Sequence, residues 1–252
     1  MNLEYLKEIW KKEEKHSFKG WDFSYIDSRS KEEALPWDYK KIVESYISDD
    51  KVMLDMGTGG GEFLLSINPS VGKTYATEAY LPNIELSRQT LAPHGIEVRA
   101  VQDDCKLPFK DNFFDLIINR HEAYYLSEVN RILKPGGIFI TQQIGENNNR
   151  ELSSFLLDKY PEIERLPENL KEALEGAKGF GWNIIKKEEH FPKIYFYDIG
   201  ALVYYAKIIQ WEFPEFSVER CFSKLKSLQQ KLEKQGYVDT IGHRYLIIAR
   251  KP

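Results

Sequence analysis

Apolar residues recur at Leu3, Leu6, Ile9 and Trp10, a spacing that predicts a helix over residues 2–15. Residues 16–35 carry no clear period and read as a loop. Pro36 suits the first turn of a helix running to about Ile47, which Asp49 and Asp50 end. At Val52 the pattern changes. Short apolar runs at Val52–Met56, Lys73–Thr77, Ile96–Val101, Phe114–Asn119 and Ile138–Ile144 predict five strands. The run Phe114–Asn119 is almost wholly apolar, as expected of a strand covered on both faces. Between these runs, helical patterns occupy Glu62–Ile67, Pro82–Leu91 and Glu122–Leu133, and Pro135-Gly136-Gly137 reads as a turn. Beyond Gly145 the order loosens. Two helices are expected at about 150–159 and 167–178, with Asn147-Asn148-Asn149 placed to cap the first. A strand over Trp182–Phe191 follows, then helices over Tyr197–Trp211, with Asp198 near its start, and Val218–Gln235. His243–Arg250 forms a closing strand.

Strands alternating with helices at this spacing imply βαβ units, a parallel sheet and right-handed crossovers, hence an α/β fold. The 252 residues suffice for one large α/β domain with an insertion. Apolar residues make up 42% and charged residues 29%, with a formal net charge of -4. That balance exerts no general pull on polyanions, so a nucleic-acid partner is disfavoured. Cys105 and Cys221 are the only cysteines and the five histidines are scattered, so neither a disulfide framework nor a metal site is expected. The N-terminus carries acids and no uninterrupted apolar run, unlike a signal peptide. The most apolar stretch, Ile199–Trp211, is interrupted by Lys207 and is too short to span a bilayer. A soluble protein of the reducing cytoplasm, with no membrane partner, is the expectation.

The candidate chemistry begins at the end of the first core strand, with Asp55, Gly57, Thr58, Gly59, Gly60 and Gly61. A strand–glycine turn–helix unit brings backbone amides and a helix N-terminus to a ligand. The dinucleotide fingerprint needs a third glycine at position 62, which is Glu62. A carboxylate there faces a pyrophosphate badly, which argues against a nicotinamide oxidoreductase. Asp55 either faces a cationic part of the ligand or caps the turn.

The chain resembles the class I S-adenosylmethionine-dependent methyltransferases. The likeness covers residues 36–144 and rests on five segments in order. They are Leu54–Gly61, Ala76-Thr77-Glu78, Asp103–Phe109 with its Leu-Pro-Phe ending, Phe114–Asn119, and Leu133–Phe139 with its Lys-Pro-Gly-Gly core. The resemblance implies a Rossmann-like, mostly parallel seven-stranded sheet with helices on both faces. A helical N-terminal or lid segment (residues 1–35) would precede a cofactor domain (36–252) carrying a helical insertion at about 196–236. It further implies S-adenosylmethionine as cofactor. Glu78 would accept from both ribose hydroxyls, Asp103 from the adenine amine, and the Asp104 amide would meet an adenine ring nitrogen. Ala79 or Tyr80 would lie against the adenine face, and Asn119 with Arg120 beneath the methionine part. Arg120 departs from what a nearby sulfonium favours; it would point away or pair with an acid such as Glu122.

On the substrate side, His121 is the candidate general base or else a loop-structuring residue. Tyr124, Tyr125 and Gln143 either face the acceptor or pack. Aromatic residues cluster at Trp10, Trp21, Phe23, Tyr25 and Trp37, and again from Phe191 to Phe216. They form either a lid or a hydrophobic sheath. A small-molecule acceptor is expected. An RNA or protein acceptor, and a non-catalytic S-adenosylmethionine-binding protein, are the alternatives.

Overall fold

A computed structural model describes residues 3–18, 22–102, 105–159 and 169–252. The expectations for Trp21, Asp103 and Asp104, and for the start of the helix at about 167, lie outside the described residues. In chain order the elements are α1 (Leu3–Glu14), β1 (Ser30–Glu32), α2 (Tyr39–Glu44), β2 (Met53–Met56), α3 (Glu62–Ser66), β3 (Thr74–Glu78), α4 (Leu81–Leu91) and β4 (Glu97–Ala100). Then come β5 (Phe114–Arg120), α5 (Leu126–Ile132), β6 (Leu133–Ile144), α6 (Arg150–Leu157), α7 (Leu170–Gly179), β7 (Asn183–His190) and β8 (Lys193–Phe196). The chain ends with α8 (Ile199–Ile208), α9 (Val218–Gln235), β9 (Val238–Ile241) and β10 (Arg244–Arg250).

The seven core strands form one sheet in the order β4-β3-β2-β5-β6-β10-β7. Strands β2 to β6 run parallel, and β10 is inserted antiparallel between β6 and β7. The central strand β5 is buried along all but its last residue and one lighter position, Asp115. This is the two-faced cover its apolar run predicts. Successive side chains of β2 alternate between the two faces: Leu54 and Met56 join the cluster that includes Val129 of α5 and Ala177 of α7. Met53 joins the cluster of Val43, Leu64 and Leu91 from α2, α3 and α4. The seven-stranded Rossmann-like sheet with helices on both faces is therefore present.

A third cluster lies outside this sandwich. It gathers Trp10 of α1, Leu156 of α6, Leu202 and Val203 of α8, Phe213 of the segment after α8, and Leu225 of α9 around Phe196 of β8. A second sheet, antiparallel in the order β1-β8-β9, edges this cluster. No sequence pattern announces it. Its strands are three and four residues long, too short for a period-2 signal, and they join positions 30–32, 193–196 and 238–241 from across the chain. The aromatic segments thus mostly sheathe a core of their own: Trp10, Phe213 and Phe216 are buried within it.

Several expected boundaries move. The helix expected from Pro36 starts only at Tyr39, because the Asp38 side chain accepts from the Lys41 amide and so makes Asp38 the N-cap. The helix expected from Glu122 starts at Leu126. The Pro135–Gly137 turn lies inside the run of β6. Asp198 caps α8 through the Ala201 amide. The three asparagines do not cap α6 by their side chains. Instead the Asn148 and Asn149 amides donate to the buried carboxylate of Glu212, at 2.7–2.9 Å. Among the described residues no helix is long and apolar enough to cross a membrane, and no cluster of three or more metal-ligating side chains is found.

Candidate functional site

The parallel strands β2, β3, β5 and β6 end on one edge of the sheet, where open α/β folds place their ligands. Register brings the ends together: Met56 of β2 lies beside Asn119 of β5, and Asn119 beside Thr141 of β6. The loop after β2 closes on itself and on β3, with the Thr58 amide donating to Thr77 O and the Gly61 amide to Thr58 O. Two glycines are required by geometry. Gly57 has φ +69°, and a Cβ there would sit 2.6 Å from the side chain of Glu122. Gly61 has φ +92°, and its Cβ would meet Leu91 at 2.7 Å. Positive φ carries little penalty for glycine alone.

Two acids line the turn. Asp55 is buried at the end of β2. Burial pushes its carboxyl up to about 7; Thr58 and Arg120 oppose the rise, and Glu78 adds to it. Such a carboxyl is short of positive charge. Glu78 ends β3 and is also buried. Its Oε2 accepts from the Gly59 amide at 2.8 Å, and its Oε1 accepts from the Ala79 and Tyr80 amides at 2.9 Å. One carboxylate therefore ties the glycine loop to the β3 end. Ala79 and Tyr80 beyond it are exposed.

The far wall comes from β5 and β6. Asn119 is fully buried; its Oδ1 accepts from Gln143, while its Nδ2 has no partner among the described residues. The Tyr39 hydroxyl donates to Asn119 O at 3.0 Å. Burial, with Asp55 adding, raises the Tyr39 phenol above its ordinary value. Gln143 also donates to Glu122 O at 2.9 Å. The guanidinium of Arg120 lies over the Phe63 ring at 4.2 Å. His121 follows with φ +66°, uncommon outside glycine. Its amide donates to Gln142 O at 2.8 Å and its ring Nε2 lies 3.0 Å from the Gln142 side-chain nitrogen. Gln142 in turn accepts from the Trp37 indole at 2.7 Å. Tyr124 packs edge-on against Phe139, whereas Tyr125 is exposed.

The structure thus gathers Asp55, Gly57, Thr58, Gly59, Gly61, Glu78, Asn119, His121 and Gln143 on one edge of the sheet. Trp37, Tyr39 and Gln142 join them, and the sequence did not single out the last two. The signal for Gln142 was present: Thr141-Gln142-Gln143 puts three polar residues at the end of an otherwise apolar strand. Nothing local marked Tyr39, and Trp37 was marked only as one of the clustered aromatics; they meet β5 and β6 through the fold.

The donor set suits a ligand that is cationic at one end and sugar-like at the other. A buried carboxyl destabilised by its surroundings favours a positive group and resists a phosphate. The orphaned Asn119 Nδ2 is a buried donor awaiting an acceptor.

Comparison with known proteins agrees. Residues 54–141 match the family described as Methyltransferase domain. The chain is 29% identical over 145 residues to a sterol 4-C-methyltransferase of Caenorhabditis elegans, the match covering 52% of this chain and 43% of that protein. It is 33% identical over 97 residues to an uncharacterized methyltransferase, YcgJ, of Bacillus subtilis, covering 35% of this chain and 38% of that protein. The matches span less than half the length of either relative. Among solved structures, a putative methyltransferase from Bacillus halodurans superposes with a TM-score of 0.61 at 17% identity, covering 85% of this chain and 99% of the other. That likeness shows the fold. The comparisons thus show a match to the methyltransferase-domain family over residues 54–141 and, over most of the chain, the fold of a putative methyltransferase.

Proposed function

We propose that this chain, which carries a class I S-adenosylmethionine-dependent methyltransferase domain, transfers a methyl group from that cofactor to a small-molecule acceptor. The observation that carries the proposal is Asp55, a buried carboxyl raised to about 7 beside the glycine turn. A cationic ligand relieves it, and the dinucleotide pyrophosphate would aggravate it.

In this reading Asp55 faces the positive end of the cofactor, and the backbone of Gly57, Thr58, Gly59 and Gly61 cradles the methionine part. Asn119 supplies its Nδ2 donor to the same part. Glu78 has one of its roughly four acceptor sites left for a ribose hydroxyl, three being taken by backbone amides. Ala79 and Tyr80 cover the adenine face; Asp103 and Asp104 keep the adenine roles the resemblance implies. When bound, the cofactor supplies a methyl carbon already activated by a sulfonium. The chain's own contribution is alignment and exclusion of water, and positioning of this kind is worth about 7–11 kcal/mol in the best cases.

A small acceptor is supported by the charge pattern. Of the four cations lining the surface groove beside Pro108, the two arginines are paired with acids: Arg131 with Glu128 and Asp111, and Arg99 with Glu97. Lys171 and Lys186 also have acidic neighbours, Glu175 and Glu188. The sterol methyltransferase among the relatives acts, by its name, on a small molecule. The paucity of cysteines supports a cytoplasmic setting.

Calorimetric titration tests the reading. Micromolar binding of S-adenosylmethionine, about -8 kcal/mol, is expected, without binding of NAD. Glu78→Ala is expected to weaken it tenfold or more. Glu78→Gln, which keeps an acceptor oxygen for the backbone, separates ligand loss from misfolding. Absence of binding, or undiminished affinity in a folded Glu78→Ala variant, overturns the proposal. Release of S-adenosylhomocysteine against an acceptor panel then reads catalysis.

A further inference from the structure

The three residues Trp37, Gln142 and His121 form a chain of hydrogen bonds whose polarity is fixed at one end. An indole nitrogen can only donate. The Trp37 Nε1 lies 2.7 Å from Gln142 Oε1, so that oxygen is the acceptor. Turning the amide over would set two donors against each other. The other end of the Gln142 amide is therefore its NH2 group, a donor only, and it lies 3.0 Å from His121 Nε2. That ring nitrogen must present its lone pair. A neutral imidazole with a lone pair on Nε2 carries its proton on Nδ1. A proton on Nε2 would break the bond and oppose N–H to N–H.

The backbone reinforces the arrangement. The His121 amide donates to the carbonyl of the same Gln142, and Gln142 is held in register by β5 on one side and β10 on the other. His121 is fixed in the left-handed region at φ +66°, a local strain that the surrounding bonds must hold. The next residue, Glu122, lies against Gly57 of the glycine turn and is bonded at its carbonyl by Gln143. The ring is thus anchored at the rim of the proposed cofactor cradle.

We infer that Trp37 and Gln142 are positioning residues that hold His121 as a neutral imidazole protonated on Nδ1, with its Nε2 lone pair engaged, so that it does not serve as base to the methyl acceptor. That consequence for the acceptor rests on the proposed function; the tautomer does not. Nε2 cannot take the proton of the nucleophile without dismantling the relay. The acceptor at this site therefore arrives with its lone pair available, as a carboxylate, thiolate or aromatic amine does, or loses its proton elsewhere.

The tautomer is read directly in long-range proton–nitrogen spectra of the full chain labelled with nitrogen-15 histidine, at neutral pH and without cofactor. His121 is assigned by its loss in His121→Ala. The wild type is expected to show a protonated Nδ1 and an unprotonated Nε2. His243 is an internal reference of opposite sense, since its Nδ1 accepts from the Asn147 amide and its Nε2 faces Glu189. Gln142→Glu offers only acceptor oxygens, satisfying Trp37 as before while drawing a proton onto Nε2. The His121 pattern is expected to reverse, with His243 unchanged. Trp37→Phe frees the amide to turn and should give an averaged pattern. A proton on Nε2 in the wild type, or an unchanged His121 pattern in Gln142→Glu, overturns the inference. Cofactor titration is independent of this readout, so failure of the tautomer and failure of the methyltransferase reading are distinguishable.

Discussion

Asp55→Asn should stabilise the cofactor-free protein above neutral pH while damaging its cofactor site. The carboxyl is raised from 3.8 to about 7 in the folded chain, chiefly by burial. Between those values the folded state holds a proton that the unfolded state has lost. Stability therefore falls as pH rises through this window and levels off above about 7. A shift of about three units corresponds to roughly 4 kcal/mol at 1.36 kcal/mol per unit. Asparagine carries no charge to bury, so the variant escapes this cost. Its NH2 group needs a partner, which takes back about 1–3 kcal/mol if none is found. Urea unfolding of both proteins from pH 5 to pH 8 isolates the single group, because other titrations cancel in the difference. The variant should gain on the wild type from pH 5 to about pH 7, by roughly 3 kcal/mol at 1.36 kcal/mol per unit, and no further above that. At about 2–4 °C per kcal/mol for a chain of this size, the gain is visible in melting curves as well. A difference that stays constant from pH 5 to pH 8 refutes the argument. With cofactor present the order should invert: the wild type, whose carboxylate meets a cation, is stabilised, and Asp55→Asn is stabilised far less.

Two other substitutions probe the turn and the second core. Gly57→Ala forces a side chain into φ +69° and brings Cβ to 2.6 Å from Glu122. It should lose about 1–2 kcal/mol from the backbone alone, plus the clash, and weaken cofactor binding in titration. Adding Glu122→Ala should recover the clash but not the backbone cost; full recovery would show that the left-handed turn is unimportant. Glu212→Ala strips the buried acceptor from Asn148 and Asn149. It should lower stability by about 2–4 kcal/mol, since each orphaned buried donor costs about 1–3 kcal/mol, with cofactor affinity unchanged. A loss under about 0.5 kcal/mol, the usual span of neutral surface changes, would contradict the role given to that carboxylate.

The alternation of apolar runs and helical periods was sufficient to place the strands of the large sheet within a residue or two, except that β6 begins at Leu133, five residues before the expected start at Ile138. A strand such as β5, covered on both faces, is apolar at nearly every buried position, and Phe114–Asn119 shows that run. The glycine turn was equally legible, because the backbone at Gly57 and Gly61 excludes a Cβ and the chain must record that locally. Glu78 stood out only through the resemblance, which gave the acid of Ala76-Thr77-Glu78 its role. What tertiary structure alone decided is of another kind. The sheet of β1, β8 and β9 unites residues some 200 positions apart, through strands too short to carry a pattern. The rise of Asp55 comes from burial among β2's neighbours, which no property of an aspartate in sequence reveals. The state of His121 depends on an indole 84 positions upstream acting through a glutamine 21 positions downstream. Sequence determines which groups can donate or accept; only the folded chain decides which of them meet, and the direction of a hydrogen bond is fixed at that meeting.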